Sequence, residues 1–389
     1  MTSETLDTRP NGAGERPKSG KRPVKAVGLI SLVLTVALLF GLLMNNSDPG
    51  RSGQTNPADL ALMDRYDMYM TNAVSNALDG VLSIKKVYWL SDDDLVAPEP
   101  DQSCYGETDD PSSLQWLLDE AAEILEGQDT LFTTETPIIP GTKVTYYLDE
   151  TIFAITWKQA LDYMCYTISE VKIAHPSQYR RFLAGGEYGS DKQFTTTEMA
   201  ASVNAVLASS GDFYKHRRMG TIVYDGVVQR VDSWQVDTCY INDEGDLFFT
   251  SKGENPDIES AQKFVDEHNI RFSLAFGPIL IQNGEKVMTW NYPVGEIEDE
   301  FPRAGLGQRD KLHYIITCVN AEGAYPNVPD IYRFQNVVAN FGCDMVYTLD
   351  GGQTAVIAMN DKLINSVLFG FQRKISDIIY FATAVPDGG

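Results

Sequence analysis

The chain has 389 residues, of which 43% are hydrophobic, so it is long enough for one large domain or two modest ones with a buried core. Its formal net charge is −23, and a surface of that sign repels phosphate backbones, which excludes nucleic acid as a partner. Aromatic residues make up 11% of the chain, and this composition favours strands over a helical bundle because aromatic side chains pack well on pleated surfaces.

The N-terminal segment combines a basic flank with an uncharged apolar run. Residues 1–25 carry more Lys and Arg than Asp and Glu, and residues 26–44 follow without a charge. Such a run is long enough to cross the roughly 30 Å hydrocarbon core of a bilayer. We therefore expect a single membrane span with a cytoplasmic basic tail and an extracytoplasmic main domain. An uncleaved signal anchor is favoured over a cleaved signal peptide, because residues 45–48 offer no small-residue cleavage site.

The next segments predict a tether and the start of a folded region. Residues 45–57 (NNSDPGRSGQTNP) have the Asn, Ser, Gly and Pro content of a flexible linker. Apolar residues at helical spacing predict a helix over 58–78, and a strand-like run at 81–90 precedes an acidic loop at 91–110.

A second helix is predicted over residues 111–127. Ser112 or Ser113 is its expected N-cap, and Gly127 is its expected C-terminal stop. Residues 58–140 therefore predict a small N-terminal α+β region ahead of the main domain.

The main domain, residues 141–389, alternates short apolar runs with turns. Asp225-Gly226 and Asn283-Gly284 supply the positive φ angles of tight hairpins, and residues 242–245 predict a longer one. No βαβ unit and no repeat of fixed period appears. We therefore predict an α+β fold with a mixed or antiparallel, β-rich sheet.

Two further helices are predicted to interrupt these strands. One spans residues 258–268, and the other spans residues 330–340 with Gly342 as its stop.

Several kinds of site are excluded by missing motifs. The five cysteines are odd in number and contain no CxxC pair, so buried free thiols are expected rather than structural zinc. The chain has four His and lacks G-x-S-x-G, HExxH, Walker A and dinucleotide motifs. No metal and no cofactor is predicted. Acid–base chemistry would therefore be carried out by carboxylates, Tyr and Arg.

Two turn-rich stretches place charged side chains after apolar runs. Residues 209–220 (SSGDFYKHRRMG) present Asp212 and then four basic residues, which is also typical of a solvated basic loop. Residues 301–308 (FPRAGLGQ) carry Arg303, which is suited to clamp a phosphate or carboxylate but is equally consistent with a surface ion pair.

A third stretch, residues 346–359 (VYTLDGGQTAVIAM), places a turn between two apolar strands. Asp350 stands at the start of that turn. The successive amides of Gly351 and Gly352 predict a concave anion nest, although an ordinary turn has the same composition.

Five motifs follow one another between about residue 142 and residue 385. They are Ser210-Gly211-Asp212-Phe213-Tyr214, Phe276-Gly277-Pro278, Pro302-Arg303-Ala304-Gly305, Phe341-Gly342-Cys343 with Leu349-Asp350-Gly351-Gly352, and Arg373-Lys374-Ile375-Ser376-Asp377. In order and spacing, this region resembles the phosphodiester glycosidase family, including its bacterial members.

The resemblance implies a phosphodiester glycosidase-like domain that hydrolyses a sugar-1-phosphodiester in envelope or exopolysaccharide glycans. Its implied catalytic residues are Asp350 and Asp212, one acting on water or the sugar and the other positioning or stabilising, with Arg303 holding the phosphate. The implied partners are a glycan or sugar-phosphate substrate and the membrane. The implied substrate-binding residues are Gly211, Tyr214, Gly351, Gly352 and Thr354.

Departures from the family pattern keep an alternative open. Ser210 and Thr348 stand where the family has Asn, and residues 320–323 replace an Asp-Gly-Arg element. The alternative is a catalytically degenerate member that binds envelope glycan or a partner protein without turnover. A third hypothesis, a calcium-stabilised adhesion domain using the 91–110 loop, lacks a ligand-spaced signature.

Overall fold

The computed structural model of the protein describes residues 88–89, 96–212, 214–288, 292 and 297–386. The predicted tail, membrane span, linker and first helix, together residues 1–78, lie outside these ranges, as do Phe213 and most of the predicted strand at 81–90. Among the helices that the structure does describe, none has the length and apolar character needed to cross a bilayer.

The described elements are mostly short strands, with α-helices and 3-10 turns between them. The helices are α1 Gln115–Leu125, α2 Thr196–Ser202, α3 Ile258–Glu267 and α4 Ile331–Val338. The strands are β1 Tyr88–Trp89, β2 Tyr105–Thr108, β3 Val144–Leu148, β4 Ile152–Leu161, β5 Met164–Ile173, β6 Tyr179–Leu183, β7 Leu207–Ser210, β8 Ile222–Tyr224, β9 Val227–Arg230, β10 Thr238–Asn242, β11 Leu247–Thr250, β12 Ile270–Leu274, β13 Ile279–Gln282, β14 Glu285–Lys286, β15 Arg303–Asp310, β16 His313–Asn320, β17 Met345–Leu349, β18 Ile357–Met359, β19 Lys362–Leu363, β20 Asp377–Phe381 and β21 Val385–Pro386. The 3-10 turns are Gln102–Cys104, Pro111–Leu114, Pro176–Gln178, Ala339–Phe341, Gly352–Thr354 and Leu368–Gly370.

Two sheets form the centre of the described domain. The larger has nine strands in the order β14-β13-β17-β15-β16-β5-β4-β3-β2, and the smaller has five in the order β19-β18-β7-β20-β6. Every strand pair in the described ranges is antiparallel. Of the predicted mixed or antiparallel alternatives, the described strands therefore follow the antiparallel one.

The main core lies between these two sheets. Leu306 and Tyr347 of the larger sheet pack in one cluster with Leu207, Ile357 and Ile379 of the smaller sheet, and all five are fully buried. Each such side chain contributes about 1.5–3 kcal/mol relative to its exposed state. This packing holds the ends of strands from different sheets at fixed positions.

Helices cover the outer faces. One face of the larger sheet buries the apolar stripes of α1 and α4, represented by Leu117 and Phe334. The outer face of the smaller sheet packs against α2 through Met199 and Ala200. A separate three-stranded sheet, β11-β10-β12, carries α3 against Tyr240.

The predicted hairpins and internal helices are confirmed. Asp225-Gly226 joins β8 to β9 and Asn283-Gly284 joins β13 to β14, with positive φ at all four residues. Helices α3 and α4 lie within the predicted spans. Asp330 caps α4 by accepting a hydrogen bond from Arg333 N at 2.7 Å.

The predicted ends of the 111–127 helix are wrong. The segment opens as a 3-10 turn capped by Asp110, which accepts from Ser112 N at 3.1 Å, and only then becomes α1. A carboxylate is a stronger acceptor for these amides than the serine hydroxyls predicted as caps. At the other end, Glu126 already has the left-handed conformation, one residue before Gly127.

The part of the predicted 58–140 region that the structure describes is hydrogen-bonded to the larger sheet. Strand β2 pairs along its length with β3, from Tyr105 opposite Tyr147 to Thr108 opposite Val144. The division of the chain at residue 140 stays a prediction.

Candidate active site

The site forms where a strand of each sheet ends. Strand β7 lies between β18 and β20 and runs into Gly211-Asp212, while β17 of the larger sheet runs into Asp350. The Ser210 hydroxyl donates to the Thr354 carbonyl oxygen, which ties the two loops together. The serine at the position of the family's Asn thus joins the loop after β7 to the loop after β17.

A buried three-residue ion cluster supports the first loop. Arg181 on β6 donates through Nη2 to Asp212 Oδ1 at 2.7 Å and to Asp377 Oδ2 at 2.8 Å, and through Nε to Asp377 at 3.0 Å. Its Nη1 donates to the carbonyl oxygen of Ser273. All three charged side chains are shielded from water. One guanidinium thus connects β6, β12, β20 and the loop after β7.

Asp212 is held on both carboxylate oxygens. Besides the bond from Arg181, Oδ1 accepts from Tyr214 N at 3.0 Å and Oδ2 accepts from Ala275 N at 2.7 Å. Its own amide donates to Asp377 Oδ2 at 3.1 Å. These bonds fix Asp212 in one orientation, as expected of a residue that positions its neighbours.

Two of the predicted substrate-binding residues, Gly211 and Tyr214, pack against this ion cluster. A Cβ on Gly211 would overlap the Asp377 carboxylate, at 2.6 Å from its Cγ, so only glycine allows this approach. Tyr214 is buried, and the Arg181 guanidinium lies 5.4 Å from its ring centroid. Both residues therefore build the floor of the site, and direct contact with substrate stays a prediction for them.

Asp350 is half-buried as a residue, whereas Asp212 and Asp377 are buried. Burial raises the pKa of Asp350 to about 6, against the lowering effect of the Thr354 hydroxyl and of the Arg373 and Arg217 guanidinium groups. The charge of Asp212 raises the pKa further, so the two predicted carboxylates are within electrostatic reach of each other. A carboxyl that titrates close to neutral pH is suited to acid–base work.

The prediction that the Gly352 amide contributes to an anion nest after Asp350 is wrong. The Gly352 amide donates to the Pro302 carbonyl oxygen at 2.7 Å and is not available to an anion. A Cβ on Gly351 would collide with the same carbonyl group. Thr354 is buried, and its hydroxyl donates to the Gly351 carbonyl oxygen at 2.6 Å. These residues shape the turn that presents Asp350.

Arg303 lies beside this turn but is directed to the main chain. Its Nη2 donates to the Asp299 carbonyl oxygen at 2.6 Å, and its Nε donates to that of Pro329 at 3.3 Å. It therefore joins the start of β15 to the segment before α4. Its role as phosphate ligand stays a prediction.

The structure adds four charged residues that we did not assign to the site from the sequence. Arg217 and Arg373 act electrostatically on Asp350, and Arg181 and Asp377 support Asp212. Burial raises the pKa of Asp377 to about 7, with Arg181 lowering it and Asp212 raising it. Arg217 and Asp377 fall inside the family motifs or next to them. Arg181 offers no sequence signal beyond a charge within a buried strand.

Within the described ranges, no three His, Cys, Asp or Glu side chains converge as metal ligands would. The five cysteines are unpaired, and all but Cys104 are buried.

Comparison with known proteins identifies the family of the region that carries this site. The sequence profile of the phosphodiester glycosidase family matches residues 203–382. This segment holds β7, β17 and β20, and with them Asp212, Asp350 and Asp377. Residues 203–382 form a phosphodiester glycosidase domain.

Known relatives of this phosphodiester glycosidase domain are distant. The SPbeta prophage-derived uncharacterized protein YomE of Bacillus subtilis (strain 168) is 22% identical over 203 residues, which are 49% of this chain and 30% of that protein. The chain thus spans less than a third of the length of that curated relative.

Two solved structures are similar in fold. A hypothetical protein from Synechocystis has a TM-score of 0.50 at 11% identity, covering 64% of each chain. The catalytic domain of zebrafish N-acetylglucosamine-1-phosphodiester alpha-N-acetylglucosaminidase, auto-inhibited by its pro-peptide, has a TM-score of 0.48 at 14% identity, covering 67% of this chain and 92% of that one. The family predicted from the sequence motifs is confirmed by the profile match to residues 203–382.

Proposed function

We propose that this domain hydrolyses a sugar-1-phosphodiester, releasing the sugar from its phosphate. The observation that supports the proposal is Asp350 at the end of β17, a half-buried residue whose pKa is raised to about 6 by burial and lowered by the charges of Arg373 and Arg217. In the reaction, a bond forms from a water oxygen to C1 of the sugar, and the bond from C1 to the phosphate oxygen breaks. The phosphate leaves as an anion and needs little protonation, so the main demand is for an ionised carboxylate.

Asp350 fills that role better than Asp212. Asp212 accepts three hydrogen bonds from protein groups and is 3% exposed, which leaves it no free approach to a sugar. Asp350 either takes the proton of the attacking water or attacks C1 itself. Of the two roles that the sequence left open, positioning therefore belongs to Asp212.

The phosphate of the substrate is assigned to Arg217 and Arg373. Both lower the pKa of Asp350, so their positive charges lie where a phosphate next to that carboxylate would be. Guanidinium groups bind phosphate oxygens in bidentate fashion and stay charged at any working pH. Holding the leaving phosphate stabilises the charge that develops on it in the transition state.

The pH dependence of kcat/KM tests this arrangement. Because Asp350 must be ionised, kcat/KM is expected to rise as pH increases through about 6. Arg373 lowers the pKa of Asp350, so Arg373→Gln should raise that pKa and move the acid limb of the profile to higher pH. The matched control is Lys263→Gln, which removes an exposed positive charge from α3, away from the site residues. An unchanged acid limb in Arg373→Gln, or an equal shift in the control, would contradict the assignment of Asp350 as the titrating group.

We further propose that the domain acts outside the cytoplasm on envelope or exopolysaccharide glycans. The uncharged run at residues 26–44 and the basic residues before it support this orientation. A protease added to intact cells should degrade residues 85–389 while leaving the N-terminal tail protected. If the protease spares the domain in intact cells and degrades it only after lysis, the proposed orientation is refuted.

A further inference from the structure

Six basic side chains lie on three loops, and the loop with Arg373 meets the Asp350 turn, where Gln353 Nε2 donates to the Phe371 carbonyl oxygen at 3.1 Å. We call these six side chains the basic collar, and they are Lys192, Lys215, Arg217, Arg218, Arg373 and Lys374. They belong to segments 187–198, 215–218 and 373–374, which are far apart in the sequence.

Hydrogen bonds and charge effects show that the three loops converge. His216 Nε2 lies 2.9 Å from Gln193 Nε2, and Lys215 Nζ lies 2.8 Å from Asp191 Oδ1. The third loop joins them because Gln372 Nε2 donates to Thr197 Oγ1 at 2.9 Å, and because the main chains of Phe194 and Ile375 are hydrogen-bonded to each other. The collar is therefore one surface rather than three separate charge runs.

The charge of this surface is opposite to that of the rest of the chain. The three segments contain six Lys or Arg and three acidic residues, Glu187, Asp191 and Glu198. The whole chain has 31 Lys or Arg against 54 Asp or Glu. A solvated face of this protein would be expected to carry the acidic excess, so a local basic excess on loops that meet beside the Asp350 turn points to an anionic ligand.

One phosphodiester does not account for the size of the collar. It carries a single negative charge, which Arg217 and Arg373 beside Asp350 already match. Arg218 and Lys374 are exposed and extend the positive charge beyond that point. Exposed charges act over about 8–10 Å at moderate ionic strength, so these residues reach a neighbouring phosphate rather than the scissile one.

We propose that the substrate is a polyanionic glycan with phosphodiesters repeated along it. One linkage lies at Asp350, and neighbouring phosphates lie on Arg218 and Lys374. This inference rests on the proposed function, since it specifies the substrate class of the same site. The basic collar makes the protein bind such a polymer more tightly than an isolated phosphodiester.

The test compares a short oligomer of N-acetylglucosamine-1-phosphate with a monomeric methyl diester of the same sugar phosphate. Binding of both probes to the full chain is measured in the Asp350→Asn background, which prevents turnover. The oligomer is expected to bind more tightly, and its affinity should fall more steeply with added salt.

The collar residues are tested by the double variant Arg218→Gln/Lys374→Gln. It should reduce the ratio of oligomer to monomer affinity about 5-fold, the size expected for two exposed charge pairs. The matched control is Lys263→Gln/Lys286→Gln, which removes two exposed lysines from α3 and β14 and should leave the ratio unchanged.

The outcomes separate this inference from the proposed function. Equal affinity for the two probes, or an equal effect of the control pair, would overturn the polyanionic substrate even if the wild type cleaves the monomer. A preference for the oligomer that depends on Arg218 and Lys374 would support the collar, even if the wild type cleaves neither probe and the proposed hydrolysis fails.

Discussion

Asp350→Asn is expected to lower kcat on a sugar-1-phosphodiester by about 10²–10⁴-fold, the usual contribution of a positioned acid–base group. The amide keeps the shape of the carboxyl but can neither take a proton from water nor attack C1. Release of free sugar from an N-acetylglucosamine-1-phosphodiester measures the effect, with Asp361→Asn as the control. Asp361 is an exposed acid in the β18–β19 turn, and its replacement should leave kcat unchanged.

The same variant separates catalysis from folding. Since the folded pKa of Asp350 is raised to about 6, ionising this group opposes folding, and stability decreases as pH rises from about 4 towards 6. Asp350→Asn removes that penalty, so its melting temperature should equal or exceed that of the wild type at neutral pH. At pH of about 4, where the carboxyl is protonated, the difference should vanish. Lower stability with lost activity would instead indicate a structural role.

The same measurement decides between the two hypotheses, an active hydrolase and a catalytically degenerate family member. Turnover by the wild type that disappears in Asp350→Asn supports a hydrolase. Binding of the phosphodiester without turnover in either protein supports the degenerate member that binds envelope glycan or a partner protein.

The sequence predicted the parts of this fold that depend on local geometry. Asn283-Gly284 specifies its hairpin because both residues tolerate positive φ, and Asp330 specifies the start of α4 because its carboxylate accepts a free amide. The motifs also marked the loops of Asp212 and Asp350, and the structure shows that these two groups interact. A turn or a helix cap can be recognised from residues that are close together in the sequence.

Features that depend on pairing across the fold could not be predicted in this way. Arg181 and Asp377 are 196 residues apart and meet because β6 and β20 are neighbours in the smaller sheet. The Gly352 amide is taken by Pro302, a partner that a pattern of glycines does not reveal. Knowing which strands are adjacent would have identified both.

Arg181→Met is expected to destabilise the protein by about 3–5 kcal/mol, because removing one partner of a buried ion pair leaves uncompensated charge. Two carboxylates, Asp212 and Asp377, would remain in the core beside each other without a cation. The control is Lys143→Met, which breaks the exposed pair with Glu107 and should cost less than about 1 kcal/mol. Chemical denaturation measures both free energies of unfolding.

The pH dependence of this loss identifies its cause. Burial already raises the pKa of Asp377, and without Arg181, which lowers it, that pKa should rise further. The folded variant then binds protons that the unfolded chain does not, so its stability should recover as pH falls from about 8 to about 5. A loss that does not change with pH would indicate that the packing of the Arg181 side chain matters more than its neutralisation of the two carboxylates. In that case the loop after β7 would be held by packing, and Asp377→Asn should also leave the position of Asp212 unaltered.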